Sequence, residues 1–154
     1  MNMQVRFRGP TPEQVRRQLE LMPQEVTGDA LREATLKGAE VIRREAVKNA
    51  EQIRRTGTLA GDIHVEIDER RSTNTRARAL VGPGKKGWYG RLVEFGHDIV
   101  VGGTKRSKRN PGQVIGHVPP KPWLRPAGDA KRAEAEQVAI EELTRRLERI
   151  WRRK

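Results

Sequence analysis

From Asp29 to Ile53, small or apolar residues return at every third or fourth position. Leu31, Ala34, Gly38, Ile42, Ala46, Ala50 and Ile53 mark the stripe, and Arg, Lys and Glu occupy the other faces. That period predicts a long amphipathic helix that must bury one side against another layer of structure. Gly38 lowers helical propensity at its middle, so it either permits close packing or is merely tolerated there. A second long helix is predicted after "PPKPWLRPA", where Ala139, Leu143, Leu147 and Ile150 or Trp151 make a stripe. Glu134, Glu136, Glu141 and Glu142 precede its terminal Arg and Lys cluster, the order that suits the helix dipole.

Between the two helices the period changes from near four to two. Ile63, Val65 and Ile67 alternate with His64, Glu66 and Asp68, and after the polar turn "ERRSTNT" Ala77, Ala79 and Val81 alternate with Arg76, Arg78 and Leu80. These stretches predict an antiparallel pair with one buried face. "GPGKKG" reads as a loop. Residues 97–118 hold two beta-prone pieces, "IVV" and "VIGHV", separated by the long polar run "GGTKRSKRNPGQ". Upstream, residues 3–7 read as a short strand. "TPEQVRRQLELM" then places Thr11 at a cap, Pro12 at the first helical position and Gln14 at the capping-box position, ahead of Val15, Leu19, Met22 and the terminating Pro23. The expected fold is α+β: a small antiparallel sheet packed against long N-terminal and C-terminal amphipathic helices, with a long basic loop. Residues 1–154 are expected to form one domain with a short N-terminal extension, 1–24.

Charge bears on partners rather than fold. The 154 residues hold 32 Lys and Arg against 20 Asp and Glu, a net +12 that attracts polyanions or acidic protein surfaces. It is unevenly spread: residues 70–96 carry seven Lys or Arg against the single Glu94, while residues 56–69 carry four acids and no Lys or Arg. The absence of Cys removes disulfides and thiolate chemistry. Nowhere do eighteen apolar residues run together, and residues 1–10 lack the pattern of a secretory leader, so a protein made in the cytoplasm and kept off membranes is expected.

His64, His97 and His117 lack metal-ligand spacing and read as surface or turn histidines. Glu94 and Asp98 have no signature of a paired acid and base, and a salt bridge or helix-end hydrogen bond explains Glu94 better. The "VGPGKKG" glycines lack the spacing of a phosphate-binding or dinucleotide loop. No catalytic group, metal or cofactor is expected. Arg76, Arg78, Lys85, Lys86, Lys105, Arg106, Lys108 and Arg109 are candidates for phosphate contact, although no zinc finger, RNP-like motif or helix-turn-helix accompanies them.

Three ordered segments carry a resemblance. In "RRTGTLAGDI", Arg55, Thr56, Gly57 and Leu59 match an Arg-Thr-Gly-x-Leu element. In "WYGRLVEFG", Tyr89, Val93, Glu94, Phe95 and Gly96 match a Tyr-to-Glu-Phe-Gly element. In "PPKPWLRPA", Pro122, Trp123, Leu124, Arg125, Pro126 and Ala127 match a proline-rich element ahead of the last helix, with Trp where many members carry Phe. Together they resemble the HK97 gp10-like family of tailed-bacteriophage tail-component or head-tail joining proteins, over roughly residues 25–150.

The resemblance implies a non-enzymatic protein of the virion neck or tail-completion region. It would form a homo-oligomeric ring beside connector, adaptor and tail proteins, with nonspecific contact to channel DNA possible from the basic loop. The "WYGRLVEFG" motif is then expected to be a rigid corner, in which Tyr89 and Phe95 pack against the long helices, Gly96 permits a sharp exit and Trp123 with Pro122 fixes the approach to the last helix. The reading of a different class is a free, basic nucleic-acid-binding protein without sequence specificity.

Overall fold

The computed structural model describes residues 11, 13, 14, 16, 17, 24–53, 56–103 and 112–152. The strand expected at 3–7, much of the helix expected over 11–22, Arg55 and the basic run 105–109 lie outside them. Of that first helix the capping box is described: Thr11 N donates to Gln14 Oε1 at 2.8 Å, and Gln14 N donates to Thr11 Oγ1 at 3.3 Å. Helix α1 spans Gln24–Gln52, strands β1 and β2 span Ile63–Ile67 and Ala79–Pro83, and α2 spans Gly90–Phe95. Strands β3 and β4 span His97–Val101 and Gln113–Val118, and α3 spans Leu124–Trp151. Two long helices thus frame two short antiparallel sheets, an α+β arrangement.

The chain divides into two compact units. The first comprises Met1–Arg43, Val65–Val81 and Lys131–Lys154. In it, α1 packs on α3 through Ala30, Ala34, Leu143 and Leu147, with Leu31 and Ile140 against them. Ala34, Gly38, Ala46 and Ala50 of the expected stripe are buried, joined by Ala30 and Val41, while Leu31 and Ile42 are half-buried at its margin. Gly38 sits where the two helices come closest: a Cβ built there would lie 2.5 Å from Ala135 O and 3.1 Å from Ala139 Cβ. Close packing is therefore its role. Buried Glu142 receives Arg145 and Arg146, and Arg146 also reaches Glu33 on α1. Helix α1 starts before the expected Asp29, and its Gly28 is buried, a Cβ built there lying 3.2 Å from Asn74 Cα of the β1–β2 turn.

Backbone bonds bracket the β1–β2 pair: Gly84 N donates to Asp62 O at 2.7 Å and Asp68 N to Arg78 O at 2.8 Å. Strand β2 begins later than the alternation suggests. Arg76 instead exchanges backbone hydrogen bonds with Thr73, and Ser72 Oγ accepts Arg78 N at 3.1 Å, so the turn claims the first residues of the expected strand.

The second unit comprises Arg44–His64 and Gly82–Ala130. Its core is Ala46, Ala50, Leu59, Ala60, Ile63, Trp123 and Ala127. The two beta-prone pieces of 97–118 pair as a hairpin, with His97 opposite Val118, Asp98 opposite His117 and Val101 opposite Gln113, and a bulge between Ile99 and Val100. The β-branched pieces on either side of the polar run find each other, so the expected single sheet resolves into two pairs.

Candidate functional site

Every helix begins with N–H groups that have no partner within it. Helix α3 has no acid in its own first turn, and Pro126 occupies a first-turn position where its missing N–H is no loss. The capping carboxylate comes from α2. Glu94 Oε2 accepts Trp123 N at 2.7 Å and Leu124 N at 2.9 Å, and Oε1 accepts Arg125 N at 3.1 Å. Glu94 is 6% exposed. Burial alone would push its carboxyl up, but the three backbone donors and the Arg125 charge outweigh that and hold it below the usual carboxylate range. The helix-end hydrogen bond expected of Glu94 is present, in triplicate and from a different helix.

Trp123 is the hub of this corner, with 1% of its surface exposed. Its indole Nε1 donates to Gly90 O at 3.1 Å and its carbonyl accepts Asn49 Nδ2 at 3.0 Å. Together with Glu94, these bonds tie the start of α3 to α2 and to the end of α1. Gly90 leaves the space that makes the approach possible: a Cβ there would lie 2.6 Å from Leu59 Cδ1 and 3.2 Å from Trp123 Cζ2. Lys121 N adds a 2.8 Å bond to Val93 O. At the other end of α2, Gly96 has φ +72°, and a Cβ would approach Val118 O to 2.6 Å. Only glycine turns the chain from α2 into β3 at this point.

The described part of the Arg-Thr-Gly-x-Leu element, Thr56–Leu59, forms a turn after α1. Gly57 has φ +82° and its carbonyl accepts Gly61 N at 3.1 Å, while Leu59 is buried and Thr56 is exposed. Just beyond it, Asp62 Oδ2 accepts Gly87 N at 2.6 Å and Oδ1 lies 3.0 Å from His64 Nε2. The Gly87 N–H, followed by His64, holds the Asp62 carboxyl below its usual range.

Other expected residues are placed differently. Phe95 is 58% exposed, which corrects the expectation that it packs into the helices; Arg125 of α3 lies over its ring, 5.4 Å from the centroid. The motif ends at the surface because Glu94, its neighbour, is the one turned inward. Tyr89 is half-buried, and Pro122, Arg125 and Pro126 are exposed. Leu59, Glu94, Gly96 and Trp123 all belong to the second unit, whereas Arg76 and Arg78 belong to the first. Arg76, Arg78, Lys85 and Lys86 are exposed, with Arg78 Nε 3.9 Å from Asp68 Oδ2. Asp98 faces His117 across the hairpin, Oδ1 to Nδ1 3.1 Å, so it does not join Glu94. Among the described residues no three His, Cys, Asp or Glu gather as a metal site, and no helix is long and apolar enough to cross a membrane.

Sequence reasoning missed Asn49, Gly90 and Asp62. Asn49 carries a weak signal, a polar residue between Ala46 and Ala50 of the apolar stripe, and Gly90 stands inside the quoted motif.

The fold and corner define a helix-framed α+β protein whose three motifs meet in or beside one internally capped turn. A family model described as "Bacteriophage HK97-gp10, putative tail-component" matches residues 13–96, more than half of the chain, and the chain belongs to this HK97-gp10-like family of phage tail components. The match takes in the first two motifs and ends before "PPKPWLRPA". No curated protein and no solved structure matches the chain.

Proposed function

We propose that this protein is a structural, non-enzymatic component of the phage neck or tail-completion region. It joins the head connector to the tail around the DNA passage, as one joining domain over residues 1–154 whose copies assemble into a ring beside connector, adaptor and tail proteins. The observation that carries this reading is the β3–β4 hairpin. It leaves the corner at Gly96 and holds Ile99, Val101, Val114 and Ile115 in water, between 41% and 59% exposed. An isolated monomer gains nothing from such an arm, whereas a tail component can bury it against a neighbour. The Glu94–Trp123 lock supports the same reading by fixing the base from which the hairpin projects.

The net +12 charge and exposed Arg76, Lys85 and Lys86 favour a second reading, a free nucleic-acid-binding protein without sequence specificity. Absolute mass by light scattering, at physiological and high salt and with and without short duplex DNA, separates the two. A salt-resistant oligomer of fixed mass supports the joining ring and gives its copy number. Mass that changes only when DNA is added, and reverts in high salt, supports the second reading.

A further inference from the structure

The second unit buries Trp123 completely, yet it leaves the large apolar side chains of its central motif outside. Trp88 is 68% exposed, Phe95 58% and Leu92 37%. Leu92 and Phe95 are one turn apart on α2 and share a face. Trp88 stands two residues before that helix, its ring set edge-on to Tyr89 with centroids 6.3 Å apart. Close to this apolar centre in the chain stand three cations. Lys85, Lys86 and Arg91 are exposed, and among the described residues none of the three has an ion-pair partner. The single acid of residues 70–96, Glu94, is buried beneath the N–H groups of α3 and offers the surface nothing.

We propose that the Trp88–Leu92–Phe95 face is a docking surface for an acidic protein, one that presents an apolar anchor rimmed by carboxylates. Exposed Trp with flanking Arg is the composition of an interface hot spot, and the cationic rim selects the partner's sign. A second copy fits less well because, of the four acids in its acid-rich run, three are already engaged, Asp62 by Gly87 and His64, Asp68 by Arg71 and Arg78, and Glu69 by Arg32, which leaves exposed Glu66 as a single carboxylate to offer. Duplex DNA would use the cations but leave the aromatic rings wet, since its bases are stacked inside and its phosphates need no apolar partner. The proposal deepens the joining role and rests on the reading that this chain binds neighbouring virion proteins.

Calorimetric titration of the full chain tests it, at about 0.15 M salt where long-range charge effects are screened. The probes are poly-glutamate, a random Glu–Tyr copolymer of the same charge, and a short duplex DNA. The copolymer is expected to bind more tightly than poly-glutamate by about tenfold or more. Trp88→Ala, and independently Leu92→Gln, should remove that preference while leaving poly-glutamate binding and the melting profile unchanged, because both side chains stand outside the core.

Equal affinity for the two polymers, or a preference that survives both substitutions, overturns the proposal. DNA affinity that falls with Trp88→Ala by the same factor overturns it in favour of nucleic acid. Self-association of the free chain that Trp88→Ala abolishes overturns it in favour of a second copy. No particle component enters the titration, so failure here is distinguishable from failure of the ring measurement.

Discussion

Glu94 is caught between two opposing demands. A carboxylate 6% exposed loses hydration, and it survives as an anion because three backbone N–H groups and the Arg125 charge replace the water. Removing it would strand Trp123 N, Leu124 N and Arg125 N at the start of α3. Glu94→Ala is expected to cost about 3 kcal/mol, the scale of a lost charged hydrogen-bond network with its partners left behind. Glu94→Gln keeps an acceptor oxygen and should cost less. The pH dependence separates charge from shape. A carboxyl held below its unfolded value contributes stability that is present above about pH 4.3 and is lost as pH falls through the native value. The stability gap between the wild type and Glu94→Gln should therefore be full at pH 7 and close in acid, as followed by urea unfolding at a series of pH values. A gap independent of pH would mean that the carboxylate's charge contributes nothing here.

At the scale of elements, two glycines in helices should respond oppositely to one substitution. In the middle of a helix, Gly→Ala gains up to about 1 kcal/mol of propensity. At Gly38 the new methyl would meet the Ala135 carbonyl at 2.5 Å, backbone that cannot swing aside, and overpacking of that kind costs about 1–3 kcal/mol. At Gly128 of α3 nothing lies within 4 Å of the added atom. Gly38→Ala should lower the melting temperature and Gly128→Ala should raise it, by roughly 2–4 °C per kcal/mol for a chain of this size.

The same elements show what could be read from sequence. Both long helices and the Ile63–Ile67 strand were legible because their periods are local, and Gly38 was flagged though its role depended on what crosses it. The acceptor for the start of α3 was not legible, because Glu94 and Trp123 are 29 residues apart and no local pattern joins them. Nor was the β3–β4 pairing, whose partners are separated by a polar run that reads as a loop. Phe95 was misplaced because aromatics default to the core, and in "VEFG" only one of two adjacent side chains can turn inward.

For the whole molecule, the net +12 charge makes some affinity for any polyanion unavoidable, so weak DNA binding by the free chain would not distinguish a joining protein from a nucleic-acid-binding one. The salt dependence is more informative, because each phosphate neutralised by a cation contributes about 0.9 to the slope of log affinity against log salt on duplex DNA. The cations are not equivalent. Arg132 is paired with Glu136 at 3.1 Å, and Arg78 lies near Asp68, whereas neither Lys85 nor Lys86 has an ion-pair partner among the described residues. Replacing Lys85 and Lys86 together by Ala should therefore lower the slope by about 1–2, while Arg132→Ala leaves it unchanged. Fluorescence anisotropy of a labelled duplex over a range of salt concentrations reads both. If the slope is the same in all three proteins, free-chain DNA affinity comes from cations elsewhere, and the Lys85–Lys86 surface retains its charge for a protein neighbour alone.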